Sequence, residues 1–242
     1  MNTPDTPLFE EVEVLSQAAA GDQFILRIKA PALTAAARPG NHIELRGESG
    51  VSALLPIMRA RTQTGVLELL YRADGSDLEA LSSKQAGNRL HISLRSDKAF
   101  VRLPERPRTL VVADELGIAP SIFLSEVLYQ QKQLFVLLGS STVFPFRPRP
   151  STILVPGIPD GVIACMPMLD EWGVPSRLAS SQDLPGCFDG SVVDLALLWL
   201  TSLDSETREQ LEVFASGAAE MTATVMDGVK SLGIPGQELP MS

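Results

Sequence analysis

The 242-residue chain carries 20 Lys and Arg against 29 Asp and Glu, a net charge of −9, with 45% hydrophobic and 20% charged residues. That composition buries a core, which sets disorder aside, and its acidity opposes long-range attraction to nucleic acid. No apolar run approaches the roughly 20 residues that span a bilayer, and Met1 to Val14 holds four acidic residues and no Lys or Arg, so neither a membrane segment nor a leader is expected and a cytoplasmic location follows.

The first hundred residues read as short strands. Phe9 to Gln17 alternates, Gly21-Asp22 turns, and Gln23 to Ile28 places Phe24, Leu26 and Ile28 on one face. Arg38-Pro39-Gly40-Asn41 turns into His42 to Arg46. Val51 to Arg61 and Val66 to Arg72 flank a Thr62–Gly65 turn. Ser76 to Lys84 reads as a short helix, and Leu90 to Leu94 closes a set of about six strands, the spacing of a small antiparallel barrel.

After Pro107 the period changes. Thr109 to Ala113 is a continuous apolar run, as in a strand buried on both faces. Ala119 to Gln131 has a helical period, and Leu134 to Leu138 is another buried strand. Ile163 to Trp172 reads as helix and Pro175 to Ala179 as strand. Ser191 to Leu203 (helix), Leu211 to Ala215 (strand) and Ala218 to Leu232 (helix) follow. Strand–helix alternation predicts a parallel α/β sheet. The expected organisation is a barrel over 1–105 and an α/β domain over 106–242, with a Pro-rich insertion at 143–160. That insertion, Phe144 to Pro150 and Pro156 to Pro159, should be extended and irregular, as a surface excursion or a partner-docking loop.

Cys165 and Cys187 are too few for a cluster or a structural zinc site, and a single disulfide is disfavoured in a reducing compartment. Cys187 reads as a small buried residue or a reactive thiol. His42 and His91 fall in alternating runs and read as strand residues, with no metal ligation and no catalytic base expected.

Five segments in order carry a resemblance. They are Ala30-Pro31-Ala32-Leu33 with Arg38 to Arg46; Leu67 to Arg72; Leu116-Gly117-Ile118-Ala119-Pro120; Val213 to Gly217; and Gly233-Ile234-Pro235-Gly236-Gln237. Together they resemble the ferredoxin-reductase superfamily, and within it the electron-transfer subunits of dihydroorotate dehydrogenase. The resemblance implies an FAD-type barrel, a nicotinamide-type domain and a protein partner. It also marks departures. Asp114-Glu115 stands where the family has two glycines in the pyrophosphate turn, leaving Gly117. The pair reads as acidic stabilisation of a helix N-terminus, or as a holder for a cation or a partner's cationic side chain. Leu55-Pro56-Ile57-Met58 replaces the flavin motif, whose Arg binds phosphate. Gly75-Ser76-Asp77 replaces a glycine-bearing phosphate contact, and Leu94-Arg95-Ser96-Asp97 replaces the Gly-Pro-Leu-Gly run that follows the family's last barrel strand. Ser216-Gly217-Ala218 replaces the Cys-Gly-Pro near the nicotinamide. The chain ends at Met241-Ser242, short of the family's cysteine-rich [2Fe–2S] extension.

The candidate cofactor-facing residues are therefore vestigial: Pro56, Ile57, Tyr71, Arg72 and Gly117. No catalytic or metal residues are assigned. The expectation is a cofactor-poor relative that binds another protein subunit. NAD(P) and [2Fe–2S] are not expected, FAD stays open through Tyr71, Arg72 and Pro56, and homo-oligomerisation stays open. Two further readings remain: an FAD-dependent electron-transfer subunit with atypical ligation, and a binding protein for a cationic ligand in a cleft containing Asp114 and Glu115.

Overall fold

The computed structural model describes residues 9–46, 52–96, 99–130 and 133–241. Met1 to Leu8, Val51, Asp97, Gln131 and Ser242, which carry parts of the expectations above, lie outside the described residues. Two compact units divide between Ala99 and Phe100.

The first unit is a closed antiparallel barrel. Its strands are β1 (Glu10–Ala20), β2 (Gln23–Lys29), β3 (His42–Arg46), β4 (Ser52–Arg61), β5 (Val66–Arg72) and β6 (Arg89–Arg95), in the order β1-β2-β5-β4-β3-β6. Alternation sends Leu26, Ile28, Ile43, Ile57, Leu67, Leu69 and Ile92 into the core, each no more than 1% exposed. Two short helices, α1 (Pro31–Ala36) and α2 (Ser76–Ser82), fill the connections. Proline opens α1 because it needs no amide hydrogen in a first turn. Glu68, 3% exposed, is neutralised by Arg27 at 3.2 Å and Arg61 at 3.0 Å.

In the second unit, β7 (Arg108–Asp114) leads through a tight 3₁₀ turn, Glu115–Gly117, into α3 (Ile118–Leu128). After β8 (Gln133–Ser140), the strand pair β9 (Arg149–Pro150) and β10 (Ala164–Cys165) brackets the Pro-rich stretch. Then come α4 (Pro167–Glu171), β11 (Ser176–Ser180), β12 (Phe188–Asp189), α5 (Val192–Ser202), α6 (Ser205–Glu209), β13 (Leu211–Ala218), α7 (Ala219–Ser231) and β14 (Gly236–Met241). The six-stranded sheet is parallel throughout, ordered β12-β11-β8-β7-β13-β14. Leu110, Val112, Phe135, Leu137, Val213, Leu195, Trp199 and Val225 form one core between sheet and helices.

One expectation is corrected. Helix does not run through 163–172: Ala164–Cys165 is strand, paired with Arg149–Pro150, and helix begins only at Pro167. A proline there supplies the fixed φ of a first turn but stops helix from entering from before it. The Pro-rich stretch is irregular, a run of bends and turns with the two-residue strand β9 in it, and is fastened to the unit. Asp170 accepts from Ser151 Oγ at 2.8 Å and Thr152 Oγ1 at 2.9 Å, Arg177 donates to the Ile153 carbonyl at 2.7 Å, and Trp199 Nε1 donates to the Pro156 carbonyl at 3.0 Å. Leu154, between these fastenings, is 93% exposed. Among the described residues no helix is long and apolar enough to cross a membrane.

Candidate functional site

In the parallel sheet the chain leaves β7 in one direction for β8, β11 and β12, and returns on the other side for β13 and β14. Loops at the carboxyl ends of β7 and its neighbours therefore part, and such a switch point is where open α/β sheets bind ligands. A cavity of about 610 Å³ lies there, within the size range of small-ligand sites. Among the described residues its lining includes Asp114, Glu115, Asp194 and Glu220, and no Lys, Arg or His.

Three of these carboxylates are held by the chain itself. Asp114 ends β7, and its Oδ1 accepts a hydrogen bond from the Ala218 amide at 2.9 Å. Ala218 is the N-cap residue of α7, whose first turn has no side-chain cap of its own. Burial pushes the Asp114 carboxyl up to about 6, the Ala218 bond opposes that rise, and the neighbouring Glu115 charge adds to it. Glu115 sits in the turn at φ +46°, unusual for a residue with a side chain. That backbone brings its Oε1 to the amide and the hydroxyl of Ser141, at 2.7 and 2.8 Å. Asp194 closes a capping box on α5: its Oδ2 accepts from Ser191 Oγ at 2.6 Å while its amide donates to Ser191 Oγ at 3.1 Å.

Two glycines are fixed by close approach. A Cβ on Gly117 would lie 2.1 Å from the Ser216 carbonyl oxygen, so this turn cannot carry a side chain and still pack on β13. Gly217 has φ +148°, and a Cβ there would lie 1.7 Å from Asp114 Oδ1. The carboxylate fills the space the glycine leaves.

The remaining candidates belong to the barrel unit. Ile57 is fully buried, and Pro56 pairs with His42 in the β3–β4 ladder. Leu55, which the sequence resemblance sets against a phosphate-binding Arg, is 1% exposed. The β4–β5 register shifts between Ile57 and Arg59, which puts Met58 in a bulge. Tyr71 is 1% exposed, stacks on Phe24 at 5.4 Å and donates its hydroxyl hydrogen to Gln17 Oε1 at 2.8 Å. Gln17 Nε2 in turn donates to the Ser82 carbonyl, so Tyr71 ties β5 to β1 and the end of α2. Burial raises the Tyr71 hydroxyl well above its ordinary range. Arg72 Nε lies 3.2 Å from Asp22 Oδ2. Asp77 stands in the first turn of α2, after Gly75 at φ +86°.

The candidates thus fall into two groups: Pro56, Ile57, Tyr71 and Arg72 in the barrel, and Gly117 in the turn after β7. Sequence reasoning found Asp114 and Glu115 as charges and missed Ala218 and Ser141 as their partners. Those partners are two backbone amides and the Ser141 hydroxyl, and nothing in a local residue pattern marks them. His42 and His91 sit in β3 and β6. Both cysteines are free thiols, and burial raises both above their usual range, opposite to the direction that makes a thiol reactive. Among the described residues no group of three or more His, Cys, Asp or Glu is placed to hold a metal ion.

A phosphate at this crevice needs backbone donors and close approach, and Asp114 and Glu115 hold donors that line it. In the barrel, Leu55 offers no donor to a phosphate and is enclosed.

No protein-family model matches the chain. Over 126 residues the chain is 29% identical to the electron-transfer subunit of the NAD⁺-type dihydroorotate dehydrogenase B of Desulforamulus reducens. That match covers 50% of this chain and 48% of the relative, so the chain spans about half the length of the curated relative it matches. Among solved structures, the ferredoxin reductase of carbazole 1,9a-dioxygenase superposes with a TM-score of 0.72 at 16% identity, over 98% of this chain and 70% of that one. The NADH-dependent reduced ferredoxin–NADP oxidoreductase, studied for flavin-based electron bifurcation, gives 0.69 at 18% identity over 98% and 77%. A closed six-stranded antiparallel barrel followed by a parallel six-stranded sheet, with these likenesses, is the fold of the ferredoxin reductases.

Proposed function

We propose that this chain is a non-catalytic ferredoxin-reductase-like subunit that binds another protein and carries no nicotinamide, flavin or iron–sulfur cofactor. The observation that carries the reading is the crevice lining: four carboxylates and, among the described residues, no cationic side chain. A dinucleotide brings two negative phosphates to that place. Two like charges about 4 Å apart repel by roughly 4 kcal/mol in a partly screened site. The barrel adds to the case, because the place of the phosphate-binding Arg holds buried Leu55. A protein partner is supported by the half-length likeness to a protein named as a subunit.

The second reading is an FAD-dependent electron-transfer subunit with atypical ligation. The observation in its favour is the intact closed barrel, with Tyr71 and Arg72 adjacent on β5.

The test is an absorbance spectrum of the protein as isolated, followed by calorimetric titration with NADH and NADPH. The expected result is no flavin bands and no heat of binding. Flavin near one per chain promotes the second reading, and micromolar NADH binding overturns the first.

A further inference from the structure

We infer that Asp114 and Glu115 are intramolecular ligands, occupying the backbone donors that an anion in the crevice would use, so that the site is closed by occupation and not by charge alone. The inference deepens the reading that the chain binds no dinucleotide, and rests on it.

Charge repulsion would be served by carboxylates anywhere on the crevice wall. These two are instead seated on donors. Asp114 reaches the Ala218 amide from 104 positions away in sequence and caps a thirteen-residue helix that has no side-chain cap of its own. Glu115 adopts a left-handed backbone to take both the amide and the hydroxyl of Ser141. A third lining carboxylate, Asp194, does the same at the start of α5, where its Oδ2 accepts from the Ser191 amide at 3.4 Å. At three places on the cavity wall, the amides of Ala218, Ser141 and Ser191, a donor is thus already held by a side chain of this chain. Helix N-terminal amides attract anions through their unmet hydrogen bonds and partial positive charge. A covalently tethered carboxylate meets that demand at high effective concentration, and a free phosphate must displace it.

Occupation and repulsion separate in two variants. D114N/E115Q removes both charges and keeps an amide oxygen to accept from Ala218 and Ser141. D114G/E115G removes charge and occupant together, and glycine suits the positive φ at 115. Inorganic pyrophosphate and NADH are titrated into both variants and the wild type at pH 7.5, with folding checked by thermal melting. The expected result is pyrophosphate binding at least tenfold tighter in D114G/E115G than in D114N/E115Q, and none in the wild type. Equal binding by the two variants, or none in a folded D114G/E115G, overturns occupation and leaves the non-catalytic reading standing. NADH binding by the wild type sinks both. Amide exchange in the wild type supplies a readout independent of any variant. Slow exchange at Ala218 and Ser141 is expected, and fast exchange at both overturns the inference.

Discussion

The two units carry their departures from the resembled cofactor motifs in opposite physical settings. In the barrel, the place of a cationic phosphate ligand holds an apolar side chain that is enclosed, Leu55, and the neighbouring aromatic, Tyr71, is drawn into a network with Phe24 and Gln17. In the α/β unit, small neutral residues are replaced by carboxylates that bind the chain's own amides. The first setting is hydrophobic burial and the second is internal hydrogen bonding. Burial resists reversal, because restoring a charge means desolvating it.

That contrast breaks most plainly at Leu55. Leu55→Arg places an unpaired guanidinium where the native side chain is 1% exposed, and is expected to destabilise by about 3–5 kcal/mol in urea unfolding. A variant as stable as the wild type that also takes up flavin would show that the barrel site was never closed.

Gly217→Ala comes next. Its φ of +148° disfavours any side chain, and the added carbon meets Asp114. A loss of about 2 kcal/mol is expected. Combining it with Asp114→Ala should recover the part due to the collision and leave the part due to φ.

Asp114→Asn sharpens the comparison through pH. The Asp114 carboxyl, raised to about 6 by burial, binds its proton more tightly in the folded chain than in the unfolded one. Its contribution is therefore fully present below about pH 4 and is lost as pH rises through about 6. Discounted for partial exposure, the change is about 1–2 kcal/mol. The Asn variant should flatten this window in urea midpoints taken between pH 4 and 7. An unchanged slope would place the titration elsewhere.

Glu115→Gly is the smallest effect. Relief of a left-handed backbone, about 1 kcal/mol, nearly offsets the loss of the Ser141 bonds, so stability should stay within about 1 kcal/mol.

Local period made most of the fold legible. Val66 to Arg72 and His42 to Arg46 match their observed strands residue for residue, and β7, β8 and α5 differ from expectation by one or two residues at their ends. Elements stabilised by distant pairing were not legible. β14, with the sequence Gly-Gln-Glu-Leu-Pro-Met, has no strand pattern and exists because β13 offers it a parallel ladder. Ala164–Cys165 reads as helix because its neighbours are apolar, and its strand partner, Arg149–Pro150, lies within the Pro-rich stretch, where no strand is expected. At the crevice, the identity of Asp114 and Glu115 was visible as charge. Their function as hydrogen-bond acceptors depended on amides that only the folded sheet brings near.

The Gly217–Asp114 contact also bears on how such chains change over generations. Glycine at 217 belongs to the segment that resembles a cofactor motif, yet here it makes room for a carboxylate. Once Asp114 occupies that space, a side chain at 217 is penalised whether or not any nucleotide ever binds. The glycine is thus held in place by its neighbour, an epistatic lock that needs no ligand to maintain it. The motif glycine at 217 is therefore read together with position 114, because the carboxylate there already accounts for it.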